Sequence, residues 1–246
     1  CMAQPDIKSF DLSSLKMNPV TSFGIAFTEA LATQWQAIAR NCTSQEAAYG
    51  LSETHTCDTY TPAGQAKWGT QGIPVPGVRI RILDPETGTE LPTGDVGEIV
   101  LRSPGTFKGY WNKPEATAAT LRDGWVHTGD MGSFDADGYL RFIGRFKEMI
   151  KVSGYSVFPE EVETILIKHP AVAQAAVIAQ PDAEKGEVVK AFIVRKPGAE
   201  VTAEQLVTWS RENMAPYKTP KHVRFIDALP ATGAGKVLRR MLKDLD

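Results

Sequence analysis

Apolar residues recur at two periods along this chain, and the period changes from one region to the next. Near the beginning, Phe27, Leu31, Trp35 and Ile38 stand three and four residues apart, which predicts an amphipathic helix over 27–39 with its aromatic stripe turned into a core. From Gly72 the pattern shortens to alternation. Val78, Ile80 and Ile82 fall on one side of a strand and Arg79 and Arg81 on the other, and Asp84-Pro-Glu-Thr-Gly88 and Leu91-Pro-Thr-Gly94 read as turns. A further strand is expected over 97–102, aromatic packing by Tyr110 and Trp111, and then a short helix near 113–117. The region over 72–144 thus reads as a small β subdomain, a distorted barrel.

Beyond residue 144 helices and strands alternate. Pro159 opens a helix over 160–168, with Glu160 and Glu161 in its first turn and Val162, Ile165 and Leu166 on one face; His169-Pro170 stops it. Strands are expected over 172–179 and 187–195, separated by a turn over 181–186. Thr202 and Gln205 form a capping box for the next helix, Val223 and Phe225 alternate as a strand, and a last helix is expected over 237–245. The fold class is therefore α/β followed by α+β, with a compact domain of its own core at the end.

Composition narrows the function. At 246 residues, 42% apolar, 23% charged and a formal charge of −2, the chain carries no basic field that would draw it to nucleic acid or an anionic membrane. Its three cysteines cannot all pair within one chain, no cysteine or histidine group has metal-ligand spacing, and His55-x-Cys57 stands alone, so a reducing, cytoplasmic setting is expected. No apolar run reaches membrane-spanning length, and the beginning lacks the pattern of a signal peptide. With Cys1 ahead of Met2 and the chain running at once into sequence of mid-domain character, it is expected to be a piece of a longer protein.

The charged stretch Gly144-Arg145-x-Lys147-Glu148-x-Ile150-Lys151-x-x-Gly154, followed by Val157-x-Pro159-x-Glu161-Val162-Glu163, resembles the inter-domain hinge of the adenylate-forming acyl-CoA synthetases. Three further motifs, in the family's order, resemble its signatures. They are Tyr49-Gly50-Leu51-Ser52-Glu53, Trp125-Val126-His127-Thr128-Gly129-Asp130, and Gly235-Lys236-Val-Leu-Arg239. The last fails as a phosphate-binding P-loop, which needs glycine where Pro230 stands and serine or threonine where Val237 stands.

The resemblance implies roles. Tyr49 would stack on adenine, Ser52 would bind the α-phosphate, and Glu53 would hold Mg²⁺; Asp130, on a strand-end turn, would take both ribose hydroxyls with help from Arg145. Gly24, in Phe23-Gly24-Ile25, stands at the turn where the family's backbone approaches adenine, although the family's first glycine is absent there. Lys236 would be the catalytic lysine, Lys147 the hinge, and Gly154 would lie on the face that serves coenzyme A. His127 is read as structural, with no Ser-His-Asp triad. Residues 1–144 would be the end of the large AMP-binding domain, and 145–246 a mobile lid pivoting at 145–147.

The implied substrates are ATP (leaving AMP), coenzyme A and a carboxylic acid, with Mg²⁺. The segments over 152–159 and 217–240 look most like medium- to long-chain fatty-acyl-CoA synthetases. This piece alone is expected to be inactive. Transfer to a carrier protein, a degenerate nucleotide-binding protein, and homo-oligomerisation stay open.

Overall fold

A computed structural model describes residues 2, 4–21, 27–46, 48–55, 57–233 and 235–245. The chain forms two compact units, one up to Phe142 and one from Ile143 onward.

In the first unit, β1 (Met17–Val20) pairs in parallel with β2 (Thr43–Glu46), and α1 (Glu29–Ile38) runs between them. Thr28 caps α1, its hydroxyl accepting the Leu31 N–H at 3.3 Å, and the helix rests on half-buried Leu31, Trp35 and Ile38. Two short strands, β3 (Thr59–Tyr60) and β4 (Ile73–Pro74), pair next. The β subdomain is a five-stranded antiparallel sheet built from β5 (Arg79–Leu83), β6 (Gly97–Arg102), β7 (Leu121–Arg122), β8 (Trp125–Phe134) and β9 (Leu140–Arg145), in the order β5-β6-β8-β7 with β9 also on β8. α2 (Pro114–Thr120) precedes β7. The alternation in β5 is real: Ile82 is buried with Ile99, Leu101, Val126 and Leu140, while Arg79 and Arg81 face outward, Arg81 lying 4.4 Å over the Trp125 ring.

Two expectations in this unit are corrected. Trp111 is not a core residue but 89% exposed. Its neighbour Tyr110 takes the inward position, packing edge-on against Phe107 at 4.9 Å, and Asn112 turns the chain away at φ 53°. Asp130 does not sit on a turn at a strand end. It lies inside the 10-residue β8, in a bulge where Thr128, Gly129 and Asp130 stand opposite Ile99 alone. Gly129 makes this possible at φ 66°, a conformation that side chains disfavour.

The second unit is built on another five-stranded sheet. β10 (Ile150–Val152) and β11 (Tyr155–Val157) form a hairpin, β12 (Val172–Asp182) and β13 (Gly186–Arg195) a longer one, and β14 (His222–Phe225) joins β13 in parallel. Both faces are covered, so the central strands are apolar on both sides. Ala175, Val177, Ala191 and Ile193 pack under α3 (Pro159–Leu166) and α4 (Ala203–Asn213), whereas Ala176, Ile178 and Phe192 meet Leu242 of α5 (Arg239–Leu242). Phe192 is fully buried, a contribution of roughly 2–3 kcal/mol.

Both helix starts follow their local chemistry. Glu161 accepts the Phe158 N–H at 3.0 Å, and Thr202 and Gln205 exchange side-chain to backbone bonds at 2.8 and 3.2 Å. The last helix is shorter than expected, because Val237 is taken by a bridge to Ala231 and the helix begins only at Arg239. Among the described residues no helix is long and apolar enough to cross a membrane.

Candidate functional site

In the first unit the bulge in β8 is held open by side chains. Glu98, on the facing strand, accepts the Gly129 N–H at 3.1 Å and pairs with His127 Nδ1 at 3.1 Å. Thr128 donates its hydroxyl to the Ile99 carbonyl at 2.6 Å and accepts the Asp130 N–H at 3.0 Å. The bulge thereby fixes Asp130, 3% exposed, against Tyr49, whose hydroxyl donates to Asp130 Oδ2 at 2.8 Å. Burial, then the Asp130 charge, pushes the Tyr49 phenol well above its ordinary range, so it stays a donor at any physiological pH. One face of the Tyr49 ring lies 6.2 Å from Phe142.

Three residues past Tyr49, the chain makes a single 3₁₀ turn, Ser52–Thr54, which leaves Ser52 exposed and Glu53 half-buried. Two groups hold it. Thr54 donates to the carboxylate of Asp58, which burial raises to about 6, and Tyr110 donates to Glu53 Oε1 at 2.6 Å. Burial and then Glu53 raise the Tyr110 phenol. Sequence reasoning missed Glu98, Asp58 and Tyr110 as partners of this site. The signal for Tyr110 was available, since a tyrosine that packs its ring against a neighbour needs somewhere to put its hydroxyl.

No group of three or more histidine, cysteine, aspartate or glutamate side chains stands ready for a metal among the described residues. A lone half-buried Glu53 with one oxygen already bonded suits Mg²⁺, which keeps most of its waters and relies on substrate phosphate for its remaining ligands. Gly24 lies outside the described residues.

The remaining site residues belong to the second unit. β9 ends at Arg145, and a 3₁₀ turn, Phe146–Glu148, carries exposed Lys147. Gly154, at φ 87°, makes the exposed tip of the β10–β11 hairpin with Ser153. Lys236 is also exposed, on a hairpin of its own. Its backbone exchanges bonds with Thr232, 2.8 Å from its carbonyl to the Thr232 N–H and 3.1 Å from its N–H to the Thr232 hydroxyl. Gly235 turns the hairpin at φ 83°, and Leu238 N–H closes its base on the Pro230 carbonyl at 2.8 Å. The structure thus brings Tyr49 and Asp130 into contact in one unit and sets Lys236, Lys147, Arg145 and Gly154 on exposed turns and strand ends of the other.

Two family models match this chain. One described as AMP-binding enzyme covers residues 1–111, and one described as AMP-binding enzyme C-terminal domain covers residues 161–236. The chain belongs to the AMP-binding enzyme family. Among AMP-binding relatives, the long-chain-fatty-acid–CoA ligase of Bacillus subtilis is 40% identical over 97% of this chain and 42% of its own length. The fatty acid–[acyl-carrier-protein] ligase ScoC of Streptomyces coeruleorubidus is 39% identical over 99% of this chain and 47% of its own. The crystal structure of the anthranilate CoA ligase AuaEII in complex with anthranoyl-AMP superposes with a TM-score of 0.86 at 35% identity, over 99% of this chain and 46% of that one. The chain therefore spans less than half the length of each of these three proteins.

Proposed function

We propose that this chain is the C-terminal portion of an ATP-dependent acid–CoA ligase that works through an acyl-adenylate. The observation that carries the reading is the buried Tyr49–Asp130 pair, followed along the same chain by a separate unit presenting exposed Lys236 beside Gly235. In the intact enzyme a carboxylate oxygen attacks the α-phosphorus of ATP and the bond to pyrophosphate breaks. The thiol of coenzyme A then attacks the acyl carbonyl, the thioester forms, and AMP leaves.

Two anions meet in the first step, and Lys236 neutralises the charge that builds on the α-phosphoryl oxygens there. Tyr49 packs against the adenine, Asp130 accepts the ribose hydroxyls with Arg145 assisting, and Ser52 donates to the α-phosphate. Glu53 would hold Mg²⁺, which supplies charge neutralisation on the triphosphate. Residues 145–246 act as a lid on the end of the AMP-binding domain, 1–144. Lys147 is the pivot at 145–147, which turns either the Lys236 face or the Gly154 face to the site for the two half-reactions.

The acid is a fatty acid, in line with the 40% identity to a long-chain-fatty-acid–CoA ligase. A second reading, transfer to a carrier-protein phosphopantetheine, is favoured by 39% identity to a fatty acid–[acyl-carrier-protein] ligase. The retained Lys236, Asp130 and Glu53 speak against a degenerate scaffold.

The test uses the full-length protein with a panel of acids of graded chain length. Acid-dependent ATP–pyrophosphate exchange is expected, falling about 10²–10³-fold in Lys236→Ala, and thioester formation with coenzyme A rather than a carrier protein. Absence of exchange with every acid overturns the reading; thioester formation only with a carrier protein selects the second. The chain by itself should give no exchange.

A further inference from the structure

Behind the Lys236 hairpin lies a cluster of charges to which the reading above gives no role. Arg239, three residues past Lys236, is gathered by three carboxylates. Its Nη1 reaches Glu148 Oε2 at 2.5 Å, and its Nη2 reaches Glu160 Oε1 at 3.1 Å and both Glu163 oxygens at 2.9 and 3.0 Å. Glu163, 6% exposed, also accepts the Val177 N–H at 2.7 Å, so the cluster is bonded to the central sheet.

Its other end reaches the hinge from both sides. Glu148 closes the 3₁₀ turn that carries Lys147, and Gly144 lies directly under Glu160. A Cβ on Gly144 would come within 2.6 Å of Glu160 Oε2. One guanidinium therefore joins four places: the base of the Lys236 hairpin, the residue after the hinge, the helix α3 and, through Glu163, strand β12.

Lys236 itself is exposed, and its backbone bonds to Thr232 within its hairpin. A long lysine on an exposed hairpin gains nothing in a closed site unless the hairpin's base is held, because small misplacements are expensive in rate. Apolar packing secures one side of that base through Leu229 and Val237. On the other side stands Arg239. A planar, always-charged fork is the group that can hold several carboxylates in fixed directions, which a lysine cannot.

We propose that Arg239 is a positioning residue for Lys236, holding the lysine-bearing hairpin in one register relative to the hinge segment 145–147 through Glu148, Glu160 and Glu163. The proposal rests on the ligase reading, because it assigns Lys236 to adenylate formation. It predicts an asymmetry: losing Arg239 impairs the half-reaction that uses Lys236 and spares the one that does not.

The experiment measures the two half-reactions separately in the full-length enzyme. Adenylate formation is followed by pyrophosphate release from ATP and a fatty acid, and thioester formation is started from synthetic acyl-adenylate and coenzyme A. Arg239→Ala should lower kcat of the first by about 10–100-fold with KM for ATP within about 3-fold, and the second by less than about 3-fold. Arg239→Lys should recover part of the loss, and Glu148→Gln, at the half-exposed end of the cluster, should lower the first step several-fold with the fold intact.

Hydrogen exchange in the present chain gives a second readout. In Arg239→Ala the Gly235, Lys236 and Val237 amides should exchange faster while those of α4 keep their protection. Equal loss in both half-reactions, full activity in Arg239→Ala, or hairpin exchange unchanged in that variant would each overturn the positioning role. A wild-type enzyme that forms no adenylate at all would instead overturn the ligase reading beneath it.

Discussion

Replacing Glu160 by glutamine should make the second unit more stable at alkaline pH, although it removes a negative charge from beside an arginine. The cluster sets three carboxylates around a single guanidinium, and burial raises Glu160 from 4.5, the value of a free glutamate, to about 7, against the pull of Arg239 and with the push of Glu163. In the unfolded chain the same carboxyl titrates at its ordinary value. The fold therefore binds the proton more tightly than the unfolded chain does, so the contribution is present in full below about pH 4.5 and is lost as pH rises through about 7. A difference of this size corresponds to about 3 kcal/mol, and Glu163, also raised by burial, acts with the same sign. Glutamine cannot ionise, yet it can still accept from Arg239. Glu160→Gln should therefore gain about 1–3 kcal/mol over wild type at pH 8 and less than about 1 kcal/mol at pH 5. The assay is hydrogen exchange of β12 and β13, corrected for intrinsic rates, from pH 5 to 8. Equal destabilisation by Glu160→Gln at both ends of that range would show an ionised, well-paired Glu160 and refute the reasoning.

Three further outcomes follow from other contacts. Tyr49→Phe removes a buried hydroxyl that donates to a carboxylate and should lower the stability of the first unit by about 1.5–3 kcal/mol, read from thermal unfolding; a shift below about 0.5 kcal/mol would count against the bond. Gly144→Ala forces a methyl group to within 2.6 Å of Glu160 and 2.8 Å of Phe158 and should cost about 1–3 kcal/mol, seen as faster exchange in α3. Lys147→Pro in the full-length enzyme should spare pyrophosphate release and block thioester formation, and equal loss of both would remove Lys147 from the pivot.

Much of the fold was legible because local pattern and global packing agree. The alternation over 78–82, the capping box at Thr202, Pro159 at a helix start and the doubly apolar hairpin over 172–195 all stand where period and end signals put them. The misreadings have physical causes. Trp111 is expected to pack with its aromatic neighbour in the core, but its direction is set by the left-handed Asn112 and by Tyr110 taking the inward place. A helix is expected from Val237, whereas a bridge to Ala231 claims its backbone first.

The site was legible as motifs and illegible as partnerships. Tyr49 and Asp130 are 81 residues apart and meet through a single bond, and Arg239 meets Glu148, Glu160 and Glu163 across 76 residues or more. No periodicity encodes such meetings, since they depend on which strand lies beside which.

The three-against-one arrangement in β8 has a further bearing on how this protein can vary. Between His127 and Met131 the strand takes four steps while its neighbour takes two between Val100 and Glu98, an excess that is even, so the residues on either side keep the same orientation toward the sheet. Adding or deleting one residue here would swap inside for outside along the rest of the strand. It would also move Gly132 from a position where a side chain would run within 2.7 Å of Ile99. Length changes at this motif are therefore tolerable only in pairs, and single-residue insertions fit only in the turns that flank β8.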